Sequence, residues 1–128
     1  MKKAEEIFQL LKDNFPASSL ELKTDQPTEP ILIASALEID KLCLFLRGSS
    51  ELLLDDLMNL SGVDEPKAGL LSVYYHLGST KFKHKITLKV STDRNKPEVS
   101  TVTEVWKAAD WHEREAYDLL GIIFLKPS

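Results

Sequence analysis

With 128 residues, 16 Lys+Arg and 20 Asp+Glu, the chain carries a net charge of −4, which weighs against nucleic acid as its main partner because that affinity comes largely from neutralising phosphates. Its length fits one domain with an ordinary hydrophobic core, residues 1–128, and no second domain is needed. The lone cysteine, Cys43, excludes an intrachain disulfide, and no cluster of Cys and His offers the ligands of a zinc site or an iron–sulfur cluster.

Met1-Lys2-Lys3 is followed by Ala4-Glu5-Glu6 rather than an apolar run, and no segment is apolar over the length that spans a bilayer. A soluble, cytoplasmic chain is expected. Ala4, Ile7, Phe8, Leu11 and Phe15 recur at a helical period, and Pro16 ends the pattern because the residue before a proline is pushed out of the α region. From Pro16 to Pro30 the chain is rich in Ser, Thr and Pro, with a short alternating piece, Leu20-Glu21-Leu22-Lys23, that can pair as a strand with Ile31-Leu32-Ile33. Ser35-x-x-Glu38 reads as a capping box opening a helix from Ala36 to about Leu46. That helix buries Ile39, Leu42, Cys43 and Leu46, and Gly48 supplies a stop.

Residues Leu52 to Asp64 fit neither period cleanly; a turn near Asp55-Asp56 followed by a strand is expected. The signal then sharpens. Leu71, Val73, Tyr75 and Leu77 alternate with Ser72, Tyr74 and His76, Gly78-Ser79 turns the chain, and Phe82, His84, Ile86, Leu88 and Val90 alternate with lysines and Thr87. This predicts a β-hairpin with one wet face. Asp93 to Val99 is a polar loop, after which Thr101-x-x-Glu104 and Asp110-x-x-Glu113 stand as tandem capping boxes. They predict two short helices, Val102 to Ala109 and Trp111 to Leu120, with Gly121 closing the second.

Helices alternating irregularly with an antiparallel or mixed sheet that has one polar face give an α+β domain, its helices packed on the apolar side of the sheet. A doubly wound fold would need strands covered on both faces, which the lysine-bearing strand opposes.

Lys81, Lys83, Lys85 and Lys89 form a ladder that reads as the solvent face of a strand; the functional alternative is a patch for an acidic partner, as in a stand-alone adaptor. His84 shares a face with Phe82, Ile86 and Leu88 and reads as a core histidine, while His76 and His112 lie on other faces, so a metal site is not expected. Cys43 among Leu42, Leu44 and Phe45 reads as a buried, inert thiol. Within Glu113-Arg114-Glu115, Arg114 stands one helical turn from Asp118, where an ion pair can form. A solvated helix face is the plain reading; nearby Trp111 and Tyr117, with Arg114, are the residue types that anchor interfaces. A small enzyme using a carboxylate of this helix is a further reading, which would need a concave pocket holding a perturbed carboxylate.

The C-terminal run Trp111-His112-Glu113-Arg114-Glu115-Ala116-Tyr117-Asp118-Leu119-Leu120-Gly121-Ile122-Ile123-Phe124, preceded by Val102 to Asp110, has the pattern W-x-E-R-E-x-Y-D-[LM]-[LF]-G-I-x-F. It resembles the C-type subunit family of the proton-pumping NADH:quinone oxidoreductase, respiratory complex I. Weaker matches extend to Leu60-Ser61-Gly62-Val63-Asp64 and Val73-Tyr74-Tyr75-His76-Leu77. The resemblance implies a structural subunit of the peripheral arm with no catalytic, cofactor-binding or metal-binding residue of its own. Iron–sulfur clusters, flavin and quinone are then expected in partner subunits, and the chain lies peripheral to the cell membrane. It further implies that Trp111, Glu113, Arg114, Glu115, Tyr117 and Asp118 face a partner, the large subunit of the quinone site, with other peripheral-arm subunits nearby. Related hydrogenases and ferredoxin- or cofactor-linked quinone oxidoreductases carry equivalent subunits. Where the family continues into Gly-His-Pro and a basic tail, this sequence has Leu125-Lys126-Pro127-Ser128.

Overall fold

The computed structural model describes residues 1–24 and 29–126. Its elements, in chain order, are α1 (Ala4–Asn14), β1 (Glu21–Lys23), β2 (Ile31–Ser35), α2 (Ile39–Gly48), β3 (Asp56–Glu65), β4 (Leu70–Gly78), β5 (Lys85–Asp93), β6 (Glu98–Ser100), α3 (Ala109–Leu120) and β7 (Ile123–Leu125). This is the expected α+β domain. Five strands form a mixed sheet in the order β1-β2-β5-β4-β3, in which only the β2–β5 pair is parallel.

Period-two patterning decides which way the sheet faces. In β4, Leu71, Val73, Tyr75 and Leu77 are buried, and their cross-strand partners Thr92, Val90, Leu88 and Ile86 in β5 are buried with them. Onto this core α1 contributes Ile7 and Leu11, and α2 contributes Ile39, Leu42, Cys43 and Leu46, as the helical spacing predicts. Each fully buried leucine or isoleucine contributes about 1.5–3 kcal/mol relative to an exposed one. The opposite face of the sheet is polar: Ser72 bonds Glu65 and Ser91, and Lys89 pairs with Glu65 at 3.1 Å while lying over the Tyr74 ring.

β1 pairs with β2 in the anticipated place, Glu21↔Ile33 to Lys23↔Ile31; residues 25–28 of the intervening segment lie outside the described residues, as do Pro127 and Ser128. The strand expected after Asp55-Asp56 is β3, which runs to Glu65 with a register shift between Leu57 and Asn59.

Five expectations are corrected. Helix α2 begins at Ile39, not Ala36: Ser35 ends β2, and the Glu38 carboxylate accepts from Ser18 Oγ at 3.0 Å instead of closing a capping box. The second strand of the hairpin begins at Lys85 rather than Phe82, because Ser79 closes a turn, its hydroxyl accepting from Phe82 N–H and its carbonyl from Lys83 N–H. Lys81 and Lys83 therefore belong to that turn, Lys83 in a left-handed conformation at φ 66°, and Lys89 is already engaged by Glu65, so the four lysines form no continuous ladder. Of the two helices expected after Thr101, the first is a pair of turns over 103–108, and the second starts at Ala109 with Asp110 inside its first turn rather than capping it. Finally, the polar stretch after Asp93 includes β6, which pairs in parallel with β7, a contact the loop reading does not contain.

His84 is the satisfied core histidine the sequence predicts. It is buried, its Nε2–H donates to the Leu52 carbonyl at 2.6 Å, and its Nδ1 accepts from Lys2 N–H at 3.2 Å. Both bonds are met by a neutral ring.

Candidate partner interface

Helix α3 lies against the edge strand β3, and the approach is made possible by Gly62. A Cβ built there would stand 2.9 Å from Leu120 Cδ1, 3.2 Å from Ile122 Cδ1 and 3.3 Å from Ala116 Cβ. Gly62 and Ala116 thus let helix and strand meet closely, and Gly121, at φ 75°, turns the chain so that Ile122 returns to the core. Gly62→Val is expected to overpack this contact and cost about 1–3 kcal/mol in denaturant melts. A smaller loss is expected for Gly62→Ala, because its clash with Leu120 falls on the end of a flexible side chain. Unchanged stability of the valine variant would show that α3 is not held at this distance.

The inner side of α3 is fixed by a second device. Glu113 is buried, and its carboxylate accepts from Thr101 Oγ1 at 2.6 Å and from Val102 N–H at 2.9 Å. Burial pushes its pKa up, the two hydrogen bonds pull it down, and Asp110 adds a smaller upward push, with a net rise. Thr101 Oγ1 also accepts from Thr103 N–H at 3.2 Å, so the threonine does cap its turn as its motif suggests. The glutamate that completes the arrangement, however, is Glu113 rather than Glu104. Glu113 therefore departs from the role the resemblance assigns it: it braces the helix from behind instead of facing outward.

The other five residues of that set are exposed: Trp111 at 65%, Tyr117 at 57%, and Arg114, Glu115 and Asp118 with them. Arg114 does not pair with Asp118. Its guanidinium lies 3.5 Å from Asp110, one turn earlier, with both side chains about two-thirds exposed. Such a pair adds little stability. Leu119, whose outward position the sequence reading did not single out, is 79% exposed and joins this surface. Its neighbour on the strand side is a shallow cleft of about 380 Å³ lined by Asn59, Ser61, Asp64, His112, Glu115 and Leu119 among others. The perturbed carboxylate, Glu113, is not part of that lining, so the cleft lacks the feature the enzyme reading requires.

Elsewhere, Cys43 is fully buried and burial, with Asp40 and Glu113 next in order, pushes its thiol well above the usual range. Among the described residues no group of three or more His, Cys, Asp or Glu could hold a metal ion, and no helix is long and apolar enough to cross a membrane.

Comparison with known proteins agrees with the C-terminal motif. The family model described as "Respiratory-chain NADH dehydrogenase, 30 Kd subunit" matches residues 32–126. The chain belongs to this family. It is 34% identical over 121 residues to the C-type NADH-quinone oxidoreductase subunit of Chloroherpeton thalassium, covering 94% of this chain and 50% of the relative. Identity to the equivalent Caulobacter vibrioides protein is 43% over 97 residues, covering 75% of this chain and 49% of that protein. The C-type F(420)H(2) dehydrogenase subunit of Methanosarcina mazei is 36% identical over 124 residues, covering 94% and 75%. The chain thus spans about half the length of the first two relatives. In fold it is similar to the trypsin-resistant fragment of Nqo5, with TM-score 0.74, 19% identity and coverage of 94% and 93% of the two chains. A chain of the membrane-bound sulfane sulfur reductase, an archaeal respiratory membrane complex, gives TM-score 0.76 at 24% identity, covering 96% and 71%.

Proposed function

We propose that the chain is a non-catalytic structural subunit in the peripheral arm of an NADH:quinone oxidoreductase, where it scaffolds the large subunit of the quinone site. The observation that carries this reading is the contrast between the two sides of α3. Behind, Gly62 and the Glu113 bonds fix the helix at one distance and angle; in front, Trp111, Tyr117 and Leu119 are left exposed. Large exposed aromatics on a rigid helix suit docking, because little side-chain or backbone freedom is lost on binding. In this role the chain supplies position. Electron transfer from NADH to quinone, coupled to proton translocation, runs through flavin and iron–sulfur clusters of partner subunits. The chain itself lies on the cytoplasmic side of that assembly, peripheral to the cell membrane.

The similarity to a subunit of F(420)H(2) dehydrogenase supports one second reading, in which the same scaffold serves a related cofactor-linked oxidoreductase. The adaptor reading is weakened by the dispersal of its lysines between a turn and a strand.

Trp111→Ala combined with Tyr117→Ala is expected to leave the melting of the isolated domain within about 0.5 kcal/mol of wild type, as surface changes do, while abolishing co-purification with the large subunit. The isolated domain is expected to show no turnover of NADH with a quinone analogue. Intact co-purification of the double variant, or turnover by the metal-free domain, would overturn the scaffold assignment.

A further inference from the structure

We infer that the outward stripe of α3 receives an arginine of the partner subunit, its guanidinium lying on the Trp111 indole and pairing with Glu115 one turn on, with the Asp118 charge adding to the attraction. This rests on the docking reading above and adds the chemistry of what docks. Positions 111, 115 and 118 are spaced i, i+4 and i+7, so they form one stripe along the helix, and all three side chains are exposed. Because Arg114 is turned to Asp110, neither Glu115 nor Asp118 has an ion-pair partner among the described residues. The exposed part of the helix thus carries three carboxylates against one guanidinium.

Covering this stripe with an apolar surface would bury two carboxylates without counter-charge, which costs several kcal/mol per ion. A cation offsets that cost by supplying the counter-charge. An indole flanked by carboxylates is matched best by a guanidinium, which is planar enough to stack, attracted to the ring face, and able to give two parallel N–H bonds to a carboxylate. The aliphatic stem of such an arginine has Leu119 to lie against, beside Glu115 in the lining of the α3–β3 cleft. A lysine would supply charge without the stacked plane.

The test is the affinity of this chain for the large subunit of its own complex, measured at low and high salt. Glu115→Gln with Asp118→Asn is expected to weaken binding at low salt by at least about tenfold, and to remove most of the salt dependence. Trp111→Phe should retain most of the affinity and Trp111→Ala should lose about tenfold or more, since any aromatic face attracts the cation. All of these positions are exposed, so each variant should melt like wild type. Wild-type affinity and salt dependence in the Glu115/Asp118 variant, with binding lost in Trp111→Ala, would remove the arginine and leave an apolar docking face. Wild-type affinity in Trp111→Ala as well would remove the docking reading itself.

Discussion

Trp106→Ala is expected to cost the domain about 3–5 kcal/mol, the range for deleting a buried aromatic side chain. Trp106 is 3% exposed, and its Nε1–H donates to the carbonyl of Leu54 at 3.2 Å, tying the turns over 103–108 to the segment that leads into β3. Leu54 is itself fully buried, so truncation removes the ring's packing and also strands a carbonyl away from water. Trp106→Phe should separate the two losses, since it keeps most of the volume and gives up the hydrogen bond; roughly 1–2 kcal/mol is expected from the bond alone. Urea denaturation of the three proteins measures both. A loss below about 1 kcal/mol for alanine would mean that this segment is not part of the cooperative core.

How far the sequence reveals this arrangement depends on whether the determining contact is local. The β4–β5 ladder is legible because Leu71, Val73, Tyr75 and Leu77 alternate with polar residues and their partners do the same, a period that only a half-covered strand satisfies. The inward face of α2 is legible for the equivalent reason at a helical period. The parallel β2–β5 pair is not, because more than fifty residues separate Ile31 from its partner Thr87 and either strand reads the same beside any neighbour. The three-residue strands β6 and β7 escape for the same reason. On α3, the motif marks the helix but not which of its residues turn outward. A capping box is a four-residue pattern, and Thr101-x-x-Glu104 satisfies it, yet the carboxylate that reaches Thr101 belongs to Glu113, in another element. The close approach at Gly62 leaves even less trace, since a glycine within a strand signals equally a bulge, a bend or a neighbour.

Glu113→Ala is expected to destabilise the domain by about 1–3 kcal/mol, because the buried Val102 N–H loses its acceptor, while the Thr101 hydroxyl can still donate to Thr103 Oγ1. Glu113→Gln should recover most of this. Its amide oxygen can accept from Val102 N–H, and the Thr101 hydroxyl can rotate to accept from the amide nitrogen while donating to Thr103, whose hydroxyl lies 3.0 Å away. The two variants also separate in pH dependence. Because the folded-state pKa of Glu113 is raised, the folded protein holds this proton more tightly than the unfolded chain does. The associated stability is fully present below the unfolded-state pKa and is lost as pH rises through the folded one. Acidification from neutrality towards the ordinary carboxylate range should therefore stabilise wild type relative to Glu113→Gln. Working with the difference between the two proteins cancels groups such as Glu65 and Asp55, whose pKa values are lowered and whose contributions run the opposite way. If the difference in unfolding free energy stayed flat between about pH 4 and pH 7.5, the desolvation of Glu113 would be balanced by its two hydrogen bonds, and if it grew in favour of wild type as pH rose, the desolvation would be outweighed by them. The carboxylate would then brace α3 as a fully ionised clamp.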